Sequence, residues 1–315
     1  MKIVISRKGF DSGFGGVPSP IGPNGEMISL PIPGGSNLKY TDLQSSLGNI
    51  SDLVRSLTKG KMDGNEIAHL DPDLDYSALP RVKGWKPALG QTGAAQGHLD
   101  GQGVDVGDVF LFFGWFRPVI EKEGKFIFKP GSESFHALFG YLQIGEKILL
   151  GESPNTDQIL KERPWLKNHP HIEGERDANN TLLIASDTLV LNGVDTGLPG
   201  ASNFSTFSSE LRLTAPNSAK SLWKVPAWMS PSQNGPSLSY HKDPSRWSND
   251  GEDYYLQTVA KGQEFVMDVS NHPQANQWML DVIKTGLSFN KDLKRKTRLN
   301  INELTEKVEK KKLKP

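Results

Sequence analysis

The hydrophobic positions of this chain are gathered into short segments that alternate with long polar loops rich in glycine and proline. An apolar run over 3–5 opens the chain. Two longer apolar segments, 104–116 and 135–148, flank a polar stretch that contains the tight-turn sequence KEGK. Short apolar segments bounded by turn residues are typical of strands. We therefore predict that a first strand and a strongly apolar hairpin form the centre of the fold.

Weaker patterns predict the remaining elements. Apolar residues recur at helical spacing over 41–57 and over 274–283, which predicts two helices. The other predicted elements are a short helix over 94–99 and strands over 27–32, 181–186, 188–191 and 211–214. Together these segments predict an α+β fold with a mainly antiparallel, partly barrel-like sheet, peripheral helices and long Gly/Pro loops.

The C-terminal stretch differs in composition from the rest of the chain. We expect a single domain over 1–285, with the apolar hairpin near 104–150. Residues 286–315 are rich in lysine and arginine and poor in apolar positions, which predicts a basic helix or tail. Such a charge run is usually solvated, and a weak contact with a phosphate backbone is the alternative.

Composition narrows the classes of function. The 315 residues include no cysteine, which excludes disulfides, thiolate nucleophiles and iron–sulfur clusters and fits a reducing compartment. The formal net charge is zero, so any nucleic-acid binding needs a local basic patch. The sequence shows no signal-peptide pattern and no apolar run near the roughly 18–20 residues that span a bilayer. We therefore expect a cytoplasmic protein with no membrane partner; the sequence indicates no oligomeric state.

The stretch ISRKGFDSGFGGVPSPI places charged residues in a glycine-rich loop directly after the first strand. Such a loop lets backbone amides approach an anion, and Arg7 and Lys8 would add charge-assisted hydrogen bonds. Asp11, close to two cations, is suited to act as a base or to stabilise a developing positive charge. The stretch does not match the phosphate-loop or dinucleotide fingerprints. The alternative is that the glycines only make turns while Arg7 and Asp11 pair locally.

The segment GDVFLFFGWFR leads an aromatic strand towards a second strand, GYLQIGE. This pair resembles the central hairpin of PUA-like barrels such as the EVE and ASCH domains, which bind modified nucleotides or bases. An aromatic ring at a strand end would offer a stacking platform for a base taken out of its helix. Trp115 and Arg117 are the candidates to leave the core, and the alternative is that the aromatic residues are all core.

Histidines offer a further candidate site. His169 and His171 flank a proline in NHPHIEGE, with Glu173 and Glu175 close by. On a strand, this spacing would put both rings on one face, where two imidazoles and a carboxylate bind metals. The segment is loop-like, so surface or capping histidines are the favoured interpretation, and we expect no metal.

Single polar residues elsewhere are candidates for acid–base work or for reading a base. His98 in QGHLD and His241 in SYHKD are possible acids or bases, although each is more often a satisfied structural residue. Gln263 and Glu264 stand at the start of a short apolar strand, where an amide and a carboxylate read a base edge or act as a base. A buried pair that caps a loop is the alternative.

Taken together, these stretches resemble one family. ISRKGFDSGFGGVPSPI, GWKPALGQTGAAQGHL, VGDVFLFFGWFR, FGYLQIGE, HPHI, NTLLIAS, LSYHKDPSRW and GQEFV are similar to the third nucleotide-modification-associated domain family, over about 2–278. The resemblance implies a setting in phage and bacterial systems that modify DNA bases or respond to modified bases. It implies no established catalytic residue.

Three functions follow from this setting. The first is an N-glycosylase that excises a hypermodified base from DNA in anti-phage defence, without a metal or organic cofactor. The alternatives are a non-catalytic reader of modified bases and a base-modifying transferase. For the glycosylase, Asp11 and Glu264 are the predicted catalytic residues. The predicted substrate-binding residues are Arg7, Lys8, Phe10, Ser19, Gln96, His98, Trp115, Arg117, Tyr240, His241 and Gln263.

Overall fold

A nine-stranded, mainly antiparallel sheet forms the centre of the protein. The computed structural model describes residues 1–152, 154–172, 176–260 and 264–288. Four α-helices lie among the described residues, together with smaller sheets of two or three strands. This confirms the predicted α+β class. No helix within these described ranges is both long and apolar enough to cross a bilayer.

The elements have the following bounds. The strands are β1 (Lys2–Arg7), β2 (Ser19–Ile21), β3 (Ile32–Pro33), β4 (Gln44–Ser45), β5 (Gly48–Asn49), β6 (Ala68–His69), β7 (Ala88–Gln91), β8 (Val109–Lys122), β9 (Lys125–Phe128), β10 (Phe135–Leu149), β11 (Thr181–Ala185), β12 (Thr188–Leu191), β13 (Val194–Pro199), β14 (Ala201–Asn203), β15 (Leu222–Val225), β16 (Trp247–Asn249), β17 (Tyr254–Gln257) and β18 (Glu264–Asp268). The helices are α1 (Ile50–Leu57), α2 (Gly93–Gly101), α3 (Thr156–Glu162) and α4 (Pro273–Ser288).

The main sheet follows the order β18–β1–β8–β10–β11–β7, with β2, β9 and β14 paired along its sides. Its pairs are antiparallel except that β1 and β2 both run parallel to β8. The two outer strands of this order, β7 and β18, approach each other. Gln91 at the end of β7 donates a hydrogen bond to Glu264 at the start of β18. The sheet is therefore strongly curled, although backbone hydrogen bonds among the described strands do not close it into a barrel.

The core is built around the aromatic side chains of β8. Phe110, Phe112, Phe113 and Phe116 are all fully buried, so both faces of this strand are covered. Burial on both faces explains why the segment is apolar almost throughout and does not alternate. On one side, Phe113 packs edge-to-face against Trp223, with ring centroids 4.8 Å apart.

The predicted hairpin is confirmed as β8 and β10, which pair antiparallel, and the KEGK turn joins β8 to β9. The short helix predicted over 94–99 is α2. The helix predicted over 41–57 begins only at Ile50. Gly48 adopts a φ of 102° within the β4–β5 hairpin, and the side chain of Asn49 caps the helix by accepting a hydrogen bond from the Ser51 amide. Leu43, which is buried, precedes this hairpin, and Leu47, which is partly buried, lies at its turn, so neither belongs to a helix that continues into α1.

Three other predicted elements differ. The strand predicted over 27–32 does not form, since Met27 makes only an isolated bridge with Ile21 and β3 takes up only Ile32 of this segment. The segment 211–214, predicted as a strand, does not form one. Leu211 ends a 3₁₀ turn, Ser209–Leu211, and the following residues make only isolated β-bridges, among them Thr214 with Trp223. The last helix runs to Ser288, past the expected domain boundary at 285. The rest of the predicted basic tail, 289–315, lies outside the described residues.

A buried histidine in β10 makes the stability of the fold depend on pH. His136 accepts a hydrogen bond from the Trp223 indole at 3.1 Å, and burial, with Lys220 and Arg7 nearby, lowers its pKa to about 3. Below the ordinary histidine pKa of about 6.5, the unfolded chain therefore binds a proton that the folded chain does not. As the pH is lowered from about 6.5 towards 3, the free energy of unfolding should decrease by about 1.4 kcal/mol per pH unit because of this one group.

Urea unfolding of the wild type and of His136→Gln, between about pH 7 and pH 4, measures this effect. The glutamine oxygen can still accept the indole hydrogen bond but does not titrate. As the pH is lowered below about 6.5, the free energy of unfolding should decrease more steeply for the wild type than for the variant. Above that pH, the two proteins should show the same dependence on pH. Parallel curves over the whole range would show that folding does not lower the pKa of His136.

Candidate functional site

The site lies where β1 ends and the glycine-rich loop begins. The backbone amide of Lys8 continues the strand by donating to the Phe113 carbonyl of β8 at 2.9 Å. At Gly9 the chain turns with a φ of 77°, and a β-carbon there would lie 2.6 Å from the Ser29 hydroxyl. Only glycine fits this turn. The turn directs the following loop, with Asp11, along the rim of a cavity.

The cavity has a volume of about 260 Å³ and is strongly polar. β1 and its loop provide Arg7, Lys8, Asp11 and Phe14. The remaining walls come from β6, from the end of β7 and from the residues on either side of the undescribed segment 173–175. The polar side chains that these walls contribute are His69, Asp71, Gln91, Thr92, His171 and Arg176. Both carboxylates and cations therefore line one cavity.

A buried ion pair connects the cavity to the edge strand β18. Lys8 Nζ lies 3.3 Å from Glu264 Oε1, and the two side chains are 9% and 1% exposed. Gln91 Nε2 donates to the same carboxylate oxygen. Lys8 and Gln91 line the cavity, whereas Glu264, one of the two predicted catalytic residues, does not line it and contacts these two side chains.

A second cluster surrounds Asp71, which also lines the cavity. Asp71 Oδ1 accepts a hydrogen bond from the Gly90 amide of β7 at 2.7 Å. His169 Nε2 lies 3.6 Å from Oδ1, and His171 Nε2 lies 4.0 Å from Oδ2. His69, at the end of β6, packs edge-to-face against His171, with ring centroids 5.5 Å apart. Three imidazoles thus surround one carboxylate.

Burial and charge set the ionisation of this cluster. Burial alone would raise the pKa of Asp71, but the positive charge of Lys8, together with that of the three neighbouring imidazoles whenever they are protonated, outweighs burial and lowers that pKa. Burial lowers the pKa of His69 and His171, and it lowers the pKa of His169 to about 3. At neutral pH the site therefore holds a carboxylate and neutral imidazoles.

Asp11 is held in a fixed orientation by its own loop. Its Oδ1 accepts hydrogen bonds from the amides of Gly13 at 2.7 Å and Phe14 at 2.8 Å. Phe14 is 47% exposed, which is unusual for such a large apolar ring, and it lines the cavity beside Asp11. The loop therefore presents an acid and an aromatic ring together.

Trp115 lies close to this loop but is not among the residues that line the cavity. The ammonium group of Lys220 lies 3.8 Å from the centre of its ring. Burial lowers the pKa of Lys220, and the charge of Asp11 opposes that shift, so Lys220 lies within electrostatic range of Asp11. The buried indole N–H of Trp115 has no hydrogen-bond partner within the described part of the chain.

Some other predicted site residues have structural contacts. Phe10 is buried against Tyr40, with ring centroids 6.3 Å apart, and the Ser19 hydroxyl accepts a hydrogen bond from the Leu30 amide. Arg117 turns towards the loop between β9 and β10, where it donates to the Ser132 hydroxyl at 3.2 Å. These residues do not line the cavity.

The predicted residues of α2 and of the 239–241 segment lie near Glu264. His98 Nε2 lies 3.0 Å from the Ser239 hydroxyl, and the ring of His98 stacks on Tyr240 at 4.4 Å. Gln96 is buried and donates to Asp100 at 2.9 Å. His241 is fully buried, where its Nε2 accepts from the Val259 amide. Gln263 lies outside the described residues.

Several cavity residues were not singled out by the sequence analysis. Phe14, His69, Asp71, Gln91 and Arg176 all line the cavity. His69 and Asp71 belong to the acidic turn segment HLDPDLDY, and Gln91 belongs to the loop motif GQT. Both segments are recognisable as polar loops, but nothing in their sequence indicates that these residues line a site. Along the chain, His171 stands near Glu173 and Glu175, which lie outside the described residues, whereas the fold brings His171 to His69 and Asp71.

Comparison with known proteins bears on the whole of this site. A family model described as nucleotide modification associated domain 3 matches residues 2–268. Comparisons with curated proteins and with solved structures found no match. The matched residues include β1, its glycine-rich loop, the Asp71 cluster and Glu264, so the cavity lies wholly within the match. The chain therefore belongs to the nucleotide modification associated domain 3 family.

Proposed function

We propose that the protein is a DNA N-glycosylase that binds a hypermodified base, extruded from the strand, in the cavity beside Asp11 and excises it as a defence against phage. Membership of the family associates the chain with nucleotide modification. The observation that carries the proposal is the convergence of Asp11 with the buried Lys8–Glu264 pair on one small polar cavity.

The size of the cavity supports a single base or nucleoside as its occupant. Sites for drug-sized ligands usually measure about 300–1,000 Å³. The volume of about 260 Å³ lies just below that range, which suits a ligand of one or two rings. Enzymes that act on a base within DNA take it out of the stack and hold it in such a pocket.

The polar walls suit the cleavage of an N-glycosidic bond. In the proposed reaction, water attacks C1′ of the deoxyribose and the C1′–N bond breaks, with its electron pair leaving on the base. Asp11 takes up a proton of the attacking water and stabilises the positive charge that develops on the sugar, as carboxylates do in glycoside hydrolysis. The departing base gains one proton, so the net reaction consumes one water.

The cations have different tasks in this scheme. Lys8 is nearly buried and paired with Glu264, so it would donate to the departing base and not to a phosphate. Arg7 and Lys220 are half-buried near Asp11, which suits contacts with the phosphates on either side of the extruded nucleotide. Glu264 holds Lys8 in place for this role.

Formation of abasic sites tests the proposal. The protein is incubated with hypermodified phage DNA and with unmodified DNA of the same sequence, and alkali-labile sites and released base are measured. Abasic sites in the modified DNA alone are expected. Tight binding to modified DNA with no released base would instead identify a reader, and a change of base mass with the strand intact would identify a transferase.

Phe14 gives a test of how the base is held. Stacking of a base on an aromatic side chain contributes about 1–3 kcal/mol. Phe14→Ala should therefore weaken binding of modified DNA by roughly 5- to 150-fold. Fluorescence anisotropy measures the affinity, and Tyr76→Ala is the matched control, because Tyr76 is 65% exposed but does not line the cavity. If the two substitutions weakened binding equally, Phe14 would not be part of the base-binding site.

A further inference from the structure

The cluster around Asp71 has the composition of a metal site. Ligand atoms of His69, Asp71 and His171 all lie within 4.8 Å of one another. Two imidazoles and a carboxylate are ligands that zinc and other divalent transition metals share. Bonds of about 2.0–2.2 Å to one ion would bring these atoms roughly 1 Å closer together.

The hydrogen bonds of Asn180 orient one of the imidazoles for this role. Asn180 Nδ2 donates to the His171 carbonyl at 3.1 Å, so Asn180 Oδ1 faces the ring and accepts from His171 Nδ1 at 2.8 Å. The hydrogen of the neutral ring is therefore on Nδ1, and Nε2 carries a lone pair. A partner of this kind on the distal nitrogen is characteristic of metal-binding histidines.

The lone pair of His171 faces an acceptor. His171 Nε2 lies 4.0 Å from Asp71 Oδ2, and both side chains are almost fully buried. Two acceptors that face each other away from water are unfavourable unless a positive group lies between them. Asp71 Oδ1 already accepts from the Gly90 amide, which leaves Oδ2 for that group.

The backbone of β7 fixes the arrangement further. A β-carbon at Gly90 would lie 2.2 Å from the His171 ring, so the imidazole packs directly against the strand. His69, Asp71 and His171 all line the cavity, so the remaining coordination positions of an ion there would open towards its occupant. Three protein ligands and an open side are typical of catalytic rather than structural zinc sites.

We propose that His69, Asp71 and His171 bind one divalent transition-metal ion of the zinc class, with its open positions towards the cavity. This departs from the sequence analysis, which expected no metal. Binding of the ion stands apart from the proposed excision. Its chemical role rests on that function, because an ion at this place would hold and acidify the water that the excision consumes.

The test is a calorimetric titration of the full chain, freed of metal by a chelator, with Zn²⁺ alone and without DNA. One ion per chain should bind to the wild type. Asp71→Asn and His171→Ala should each weaken binding by more than about 100-fold, and Asn180→Leu, which removes only the orienting partner, by about 10- to 100-fold. His272→Ala is the matched control, since His272 follows β18 at the end of the sheet away from the cavity, and its affinity should match that of the wild type.

Two further measurements keep the result independent of folding. Circular dichroism establishes that each variant is folded, and the visible spectrum of Co²⁺ added to the wild type reports imidazole coordination directly. No binding by the wild type, or binding that Asp71→Asn and His272→Ala change equally, would overturn the proposal. Because the titration contains no DNA, such a result would leave excision by Asp11 standing, and a failure of excision would leave the metal site standing.

Discussion

Asp11→Asn is expected to slow base excision by about 10²- to 10⁴-fold, the usual contribution of a positioned acid or base. The substitution removes the charge but preserves the shape of the side chain. The amide oxygen can still accept hydrogen bonds from the Gly13 and Phe14 amides, which position the carboxylate at 2.7 and 2.8 Å. The affinity for modified DNA should therefore change little. Single-turnover kinetics, with DNA binding measured separately, distinguish the two effects.

Asp105→Asn is the matched control for this experiment. Asp105 is exposed and lies just before β8, near the end of β1 that is remote from Arg7. Its replacement should alter neither the rate nor the affinity. If Asp11→Asn weakened binding as much as it slowed excision, Asp11 would be a binding residue. If it left the rate unchanged, the scheme in which this carboxylate stabilises the sugar would be wrong.

Glu264→Gln is expected to have the largest effect on stability, a loss of about 3–5 kcal/mol in the free energy of unfolding. The substitution leaves the Lys8 ammonium buried without its counter-ion, where it is 9% exposed. Such a charge is costly even though the glutamine keeps the size of the glutamate. Urea unfolding monitored by circular dichroism gives the value, which extrapolation to zero denaturant converts to a free energy.

The double variant Lys8→Met with Glu264→Gln separates the charge from the packing. With neither charge of the Lys8–Glu264 pair left, it should recover most of the lost stability. Asp187→Asn is the control for a surface pair, since Lys86 and Asp187 lie 2.7 Å apart but are 44% and 83% exposed. That change should cost no more than about 1 kcal/mol. A double variant no more stable than Glu264→Gln would show that the pair matters through shape and not through charge.

The parts of the fold that the sequence predicted are those set by local pattern. The continuous apolar segments gave β8 and β10, because a strand buried on both faces has to be apolar along most of its length. The helix before Leu57 was placed too early, because Leu43 and Leu47 repeat at helical spacing but belong to a hairpin region. The positive φ of Gly48 allows the chain to form this hairpin, and the spacing of the hydrophobic residues gives no information about that backbone conformation.

The sequence could predict only those parts of the candidate site whose residues are close together in the chain. Arg7, Lys8 and Asp11 stand together in the sequence, so their place on the cavity follows from the loop after β1. The pairing of Lys8 with Glu264 joins residues from opposite ends of the chain, and it depends on β18 lying against β1. No local pattern indicates this pairing.

The Asp71 cluster illustrates the same limit. His171 was noted for its spacing from His169, but the residues that complete the cluster come from β6 and the turn after it, about a hundred positions earlier in the chain. The curled sheet brings Gln91 of β7 to Glu264 of β18 and so closes the cavity. Long-range strand pairing positions these groups, and hydrophobic periodicity alone does not specify which strands pair.

The most direct test of the central claim is to locate the modified base on the protein. The chain has no cysteine, so a single introduced thiol is unique. Thr92→Cys places it on the cavity wall, and Asn271→Cys places it on the exposed surface after β18, at the far end of the sheet. DNA whose modified base carries a disulfide-exchange group should cross-link to the first variant and not to the second, and free modified nucleoside should compete. Equal cross-linking of both variants, or none at position 92, would contradict binding of the base in this cavity.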